Sequence, residues 1–162
     1  MAVRVETIGE RLFFSLPVSM VRLGNFQHYV EPTSAAFATI GTEFVRIYCE
    51  EFGCDASSGW HGRPLFAADL YNELAPPSAD LQYLQNTSHA VHAAIEAGYN
   101  AALNNTTDGD NEPVTWVTQG WMFHNDPSFW QPAQMKAFLG GVPDPQHDLV
   151  VLDLYAEVGM RD

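Results

Sequence analysis

Apolar residues gather in four short, nearly continuous runs, and helical patterns separate these runs. A strand with one solvent face alternates apolar and polar residues, so continuous runs are typical of strands buried on both faces. We therefore predict four buried strands. They are Leu16–Phe26, Pro64–Tyr71, Val114–Phe123 and Asp148–Glu157.

Three helices are predicted between these strands, each from apolar residues spaced three or four apart. The first should end at Gly53, the second should begin with Ser78 as its cap, and the third is Pro132–Gly141. Alternating strands and helices predict a parallel sheet with right-handed crossovers. The predicted core stripes are Phe37, Ile40, Phe44, Ile47 and Tyr48 in the first helix, and Leu81, Leu84, Val91 and Ile95 in the second.

The fold class is therefore α/β, with two candidate architectures, a doubly wound open sheet and a (β/α)₈ TIM barrel. No strand is followed by a glycine-rich phosphate turn, whereas polar and aromatic residues stand at the strand ends, where barrel enzymes build their sites. This favours the barrel. About four βα units do not close one, so we expect the rest of the barrel to come from a longer chain or another subunit. Residues 1–162 then form a partial catalytic domain, with Asn104–Pro113 as an inserted polar loop.

The charge composition limits the kinds of partner that the chain can bind. The chain has 7 basic and 20 acidic residues, a net charge of −13, which argues against nucleic acid and anionic membrane surfaces. No apolar run is long enough to span a bilayer, and the N-terminus does not read as a signal peptide. The sequons at Asn86, Asn104 and Asn105 hint at a secretory protein. Cys49 and Cys54 are predicted to be free thiols, with a disulfide as the alternative.

Glu73 is the first catalytic candidate, because it follows Asn72 at the end of the second predicted strand. A glycosidic oxygen leaves poorly, so a protonated carboxyl must donate to it as the bond breaks. A partly desolvated Glu holds its proton near neutral pH. The alternatives are a charge in a loop without a role and a carboxylate that caps the N-terminus of a helix.

Trp121 is the second candidate, since an indole at a strand end can pack against the apolar face of a sugar. Plain packing is the alternative, and it is the reading for Trp116 and Trp130. Glu157 ends the fourth strand but lies past the last layer of a barrel. The six His have no metal-binding spacing, and His89 and His92 read as a solvated helix face. We therefore predict no metal and no cofactor.

At these residues the chain resembles the α-N-acetylglucosaminidase family, glycoside hydrolase family 89. The similar stretch runs from about Val18 to Glu157 and is strongest in "DLYNELAPPS", "TQGWMFHNDPSFWQPAQMKAFLGGVP" and "LVVLDLYAE". The resemblance implies part of a much longer chain with a TIM-barrel catalytic domain. It implies retaining hydrolysis of terminal α-linked N-acetylglucosamine in glycans, including heparan sulfate, and a lysosomal or secreted location.

The resemblance also assigns roles to single residues. Glu73 matches the general acid/base, Asn72 a neighbouring pocket residue, Trp121 a pocket Trp, and Leu154 an apolar pocket residue. Phe26 stands where the family has a Trp, and His92 stands where it has a Tyr. No stretch matches the motif of the second carboxylate, the nucleophile. Two other readings remain: a catalytically inactive truncated paralogue or sugar-binding module, and a glycosidase acting on β-linked glucans.

Overall fold

The structure is a computed structural model that describes the backbone of residues 4–8, 11–15, 20–23, 27–54, 61–71, 74–103 and 111–153, and side chains from Val30 onward within these ranges. Twelve elements lie in these ranges. The strands are β1 (Arg4–Ile8), β2 (Arg11–Ser15), β3 (Met20–Leu23), β4 (Gln27–Val30), β5 (Leu65–Ala67), β6 (Thr115–Gln119) and β7 (Leu149–Leu152). The helices are α1 (Ala35–Phe52), α2 (Leu81–Ala102), α3 (Trp121–Asn125), α4 (Pro132–Leu139) and α5 (Pro145–Asp148).

A parallel sheet of β5, β6 and β7, in that order, forms the centre of the described part of the chain. Leu65 pairs with Thr115, and Trp116 pairs with Leu149. Consecutive parallel strands in chain order, joined through helices, are the arrangement expected for neighbouring units of a barrel. Three of the four predicted strands are thus parallel neighbours, although β5 and β6 are shorter than predicted and Trp121 begins a helix.

The described part of the first predicted strand, Leu16–Phe26, does not join this sheet. Its Met20–Leu23 portion is β3, which pairs antiparallel with β4, and β1 and β2 form a second antiparallel pair. The prediction overlooked the turn-forming pair Gly24-Asn25, which is typical of hairpin connections. Only three residues separate β3 from β4, too few for a crossover helix.

Helix α1 approaches α2 closely at small residues of both helices. A Cβ at Gly98 of α2 would lie 2.5 Å from the carbonyl oxygen of Thr42, and one at Gly41 would lie 2.9 Å from the Cβ of Ala94. Val45 of α1 is buried in this close contact. The predicted stripe of α1 is therefore wrong at Phe44 and Tyr48, which are exposed by 68% and 46%.

The prediction of free thiols is also wrong, because Cys49 and Cys54 form a disulfide. Gly53 ends α1, as predicted, with φ of 75°, and its N–H donates to the Cys49 carbonyl at 2.9 Å. This left-handed turn folds the chain back on the helix. It brings the two Cα atoms to 5.0 Å, within the range that a disulfide spans.

Helix α2 begins at a different cap from the one predicted. Asp80 is the N-cap, and its Oδ1 accepts from the Tyr83 N–H at 2.8 Å, while Ser78 Oγ only accepts from the Asp80 N–H. A carboxylate directly before the first turn also interacts favourably with the positive end of the helix dipole, which explains why Asp80 takes this position. Leu84, Val91 and Ile95 of the predicted stripe are buried, and Leu81 is 45% exposed.

His92 of α2 is buried, with 2% exposure, so the prediction of a solvated face holds for His89 alone. Val91, His92 and Ile95 of α2 are all buried in the core, because the buried face of the helix is wider than its stripe of apolar residues. Burial lowers the pKa of His92 from its ordinary value of 6.5, since a charged ring would lose its hydration there.

The sheet packs on the helices through aromatic contacts and remains open at both edges. Trp116 of β6 meets Phe138 of α4 with ring centres 6.0 Å apart, and Phe66 of β5 meets Tyr99 of α2 at 5.9 Å. Within the described ranges β5 and β7 each pair only with β6. A cavity of about 490 Å³ lies beside β5, between α1 and α2, and its lining is apolar apart from the Tyr48 hydroxyl. An open edge with apolar surroundings fits a sheet that more strands complete.

Candidate functional site

The carboxyl ends of β5, β6 and β7 lie side by side, because the three strands are parallel and in register. Beyond the ends of the ladder, the Ala68 N–H donates to the Val117 carbonyl at 3.0 Å. The Gly120 N–H donates to the Leu152 carbonyl at 2.8 Å. The segments after the three strands therefore start from one edge of the sheet, where barrel enzymes place catalytic groups.

Trp121 stands at this edge, as the first residue of α3 directly after β6. Its side chain is partly buried, and its ring lies 5.4 Å from the His124 ring, tilted by 54°. Gly120 brings the chain close to β7, since a Cβ there would lie 3.2 Å from the Leu152 carbonyl oxygen. The backbone directly before Trp121 thus lies against Leu152, the last residue of β7.

The segment that leads to Asn72 and Glu73 is fixed to β6. Asp69 Oδ1 accepts from the backbone N–H of Gln119 at 3.2 Å, two residues before Trp121. This contact joins the chain after β5 to the last residue of β6. The Asp69 carboxylate therefore links the segment before Glu73 to the strand before Trp121.

A second contact holds the same segment from the core side. The indole Nε1 of Trp116 donates to the Ala68 carbonyl at 2.8 Å, and Trp116 itself is fully buried. Because Trp116 is packed on all sides, it gives the end of β5 a rigid support. Sequence reasoning placed Trp116 and Trp130 in the core, which the structure confirms, but it missed this support of the site.

Tyr71, the residue before Asn72, has an unusual backbone conformation. Tyr71 has φ of 52°, a left-handed conformation that side chains with a Cβ rarely adopt. The Leu74 N–H donates to the Tyr71 carbonyl at 3.2 Å, which closes the chain around two residues. Such backbone outliers concentrate at functional sites. Asn72 and Glu73, between these two anchors, lie outside the described residues.

Phe26, Leu154 and Glu157 also lie outside the described residues, as does most of the loop Asn104–Pro113. The end of that loop is held by Asn100 of α2, whose side chain exchanges two hydrogen bonds with the backbone of Glu112, at 2.7 and 3.0 Å. Of the six residues proposed from the sequence for the pocket or its rim, Trp121 is thus the one whose position the structure gives. The others stay predictions.

Two residues near the site were not predicted from the sequence. Asp69 lies four residues before Glu73, and its position just after a short strand is the signal that could have identified it. His124 follows Trp121 by three residues, one helical turn, a spacing that brings side chains together on a helix. Both are exposed at the edge where the strands end.

The described residues contain no group of three or more His, Cys, Asp or Glu side chains arranged to hold a metal ion. None of the helices in these ranges is long and apolar enough to span a membrane.

Near α3, hydrogen bonds from the Ser128 hydroxyl and the Phe129 N–H lower the pKa of Asp126, which therefore stays ionised. These hydrogen bonds hold the turn after α3.

Comparison with known proteins agrees with this geometry. Residues 19–161 match the family described as alpha-N-acetylglucosaminidase (NAGLU) tim-barrel domain. Human alpha-N-acetylglucosaminidase is 35% identical over 149 residues, which cover 86% of this chain and 17% of the human protein. The chain thus spans about a sixth of the length of the curated relative that it matches. The match runs through all three parallel strands and the segments after them, and on this ground the chain belongs to the alpha-N-acetylglucosaminidase family, as part of its TIM-barrel domain.

Proposed function

We propose that this chain is the part of an α-N-acetylglucosaminidase catalytic barrel that supplies the general acid/base, Glu73. The observation behind the proposal is the family match across residues 19–161, a range that includes Asn72, Glu73 and Trp121. The hydrogen bond between Asp69 and Gln119 supports it, because it ties the segment before Glu73 to the strand before Trp121.

In the proposed mechanism Glu73 first acts as an acid and then as a base. It donates its proton to the glycosidic oxygen as the bond to C1 breaks, and a second carboxylate from the longer protein attacks C1 from the other side. Glu73 then takes a proton from the water that displaces this carboxylate. Two displacements at C1 retain the α configuration.

The neighbouring residues are assigned to binding and orientation. Asn72 hydrogen-bonds the N-acetyl group at C2, Trp121 packs against the apolar face of the sugar, and Leu154 and Phe26 line the pocket. A pocket of apolar walls with a few polar groups is the usual design of a small-ligand site. The substrate class is a glycan with a terminal α-linked N-acetylglucosamine, such as heparan sulfate.

The proposed location is lysosomal or secreted. The disulfide between Cys49 and Cys54 supports it, because disulfides persist in oxidising compartments and are rare in the cytosol. The sequons at Asn86, Asn104 and Asn105 are consistent with the same route.

The test uses the complete gene product and an aryl α-N-acetylglucosaminide with a poor leaving group. Glu73→Gln keeps the size of the side chain but removes its proton, and we expect kcat/KM to fall by at least about a hundredfold, the usual contribution of a general acid. Glu31→Gln, a partly buried Glu before α1, serves as the matched control and should stay close to the native rate. An unchanged rate in Glu73→Gln would reject the assignment. Sugar binding without hydrolysis by the native protein would favour an inactive binding module instead.

A further inference from the structure

The sequence Asn86-Thr87-Ser88 lies in α2 and has no part in the proposed catalysis. It matches the acceptor pattern for N-linked glycosylation. Asn86 is the sixth residue of α2, and its side chain is exposed. We propose that Asn86 carries an N-linked oligosaccharide that projects from the solvent face of α2.

The surroundings of Asn86 leave room for a bulky group. Gln82, Gln85 and His89, its neighbours one turn away or adjacent on the helix, are all exposed. The Asn86 amide oxygen accepts from Gln82 Nε2 at 2.8 Å. An N-glycosidic bond forms at the amide nitrogen and leaves this oxygen as an acceptor, so the hydrogen bond persists after modification.

The other two residues of the acceptor pattern determine when the sugar is added. Thr87 and Ser88 are fully buried, and the Ser88 hydroxyl donates to the Phe138 carbonyl of α4. A transferase that must contact the hydroxyl of Ser88 cannot reach it once α2 has packed on α4. Glycosylation of Asn86 therefore precedes the folding of this helix, and the folded protein is no longer an acceptor.

A separate observation places the chain where this reaction occurs. The disulfide between Cys49 and Cys54 forms in an oxidising compartment of the secretory route, in which nascent chains are also glycosylated. In the transfer step, the Asn86 amide nitrogen attacks C1 of a lipid diphosphate-linked oligosaccharide. The N–C1 bond forms, the C1–O bond breaks, the lipid diphosphate leaves with the electron pair, and one amide proton is lost to a base.

The experiment expresses the complete gene product in a eukaryotic secretory host. Peptide mapping after release by an amidase that converts glycosylated Asn to Asp should find Asp at position 86. Asn86→Gln should lose the mass of one oligosaccharide on a gel, whereas Asn111→Gln should migrate like the native protein. Asn111 is an exposed Asn outside any sequon, which makes it the matched control.

Peptide mapping of the native protein gives a result even if a variant is poorly secreted. Recovery of the native peptide with unmodified Asn86 would overturn the proposal, and so would unchanged migration of Asn86→Gln. The timing is tested with purified folded protein from a bacterial host, incubated with the transferase and a lipid-linked donor. Modification of Asn86 in that folded protein would contradict the requirement for an unfolded α2. None of these measurements depends on glycosidase activity, so they stand apart from the proposed function.

Discussion

The contact between Trp116 and the Ala68 carbonyl supports the end of β5, and its energetic value can be isolated. Trp116→Phe removes the indole N–H and leaves the Ala68 carbonyl without this donor. Loss of a buried hydrogen-bond partner costs about 1–3 kcal/mol. The missing ring atoms add about 1 kcal/mol for lost burial and the cavity. The expected loss in the free energy of unfolding is therefore about 2–4 kcal/mol.

Trp130 provides the matched control. It is buried to the same degree, with 2% exposure, and it packs against Phe138 with ring centres 5.4 Å apart. Its Nε1 has no hydrogen-bond partner among the described residues. Trp130→Phe therefore breaks no hydrogen bond. The lost ring atoms lower the free energy of unfolding, but removal of a buried, unpaired N–H offsets part of this loss, so about 1 kcal/mol or less is expected.

The assay is chemical unfolding of the complete gene product followed by far-ultraviolet circular dichroism, which does not depend on the deleted indole. If Trp130→Phe destabilises the protein as much as Trp116→Phe, the hydrogen bond to Ala68 has no special value and the argument is refuted. A second readout is kcat. Trp116→Phe should lower it because the segment leading to Glu73 loses its support, whereas Trp130→Phe should leave it near the native value.

Two further predictions concern helices α1 and α2. Gly98→Ala should destabilise the protein by about 1–3 kcal/mol in thermal or chemical unfolding, because the added Cβ would press on the Thr42 carbonyl and Val45. A stabilisation of about 1 kcal/mol, which the higher helix propensity of Ala alone would give, would disprove the close contact. His92 has a lowered pKa, mainly through burial, so the unfolded chain binds more protons than the folded one below its ordinary pKa of 6.5. The contribution of His92 to stability is therefore complete above pH 6.5 and declines as the pH falls below it. Unfolding of His92→Gln at several pH values should show a shallower decline than the native protein, and identical slopes would contradict the buried position.

The parallel sheet was predictable because local signals agree with the fold. Apolar runs bounded by turn residues mark β5, β6 and β7, and the helices between them require crossovers. Periodicity did not reveal which side of α1 faces α2, since apolar residues cover much of its circumference. The contact depends on small residues, Gly41 and Gly98, that allow the helices to approach closely.

The candidate site was predictable in part, for a similar reason. The position of Trp121 near the end of β6 was predictable because apolar runs and the turns after them are properties of the sequence. The contacts of Asp69 with Gln119 and of Trp116 with Ala68 join residues about fifty positions apart, and no local pattern encodes them. The disulfide was missed because five-residue spacing looks unfavourable until Gly53 reverses the chain.

The central claim is that Glu73, in the segment after β5, is the acid/base, and Glu73→Ala in the complete gene product tests it most directly. Without a proton donor, substrates with poor leaving groups should lose far more activity than substrates with a strongly activated aryl leaving group, which departs without protonation. Added azide, a nucleophile that needs no base, should restore turnover of the activated substrate and yield an α-glycosyl azide. Equal losses for both leaving groups, without rescue by azide, would contradict the claim.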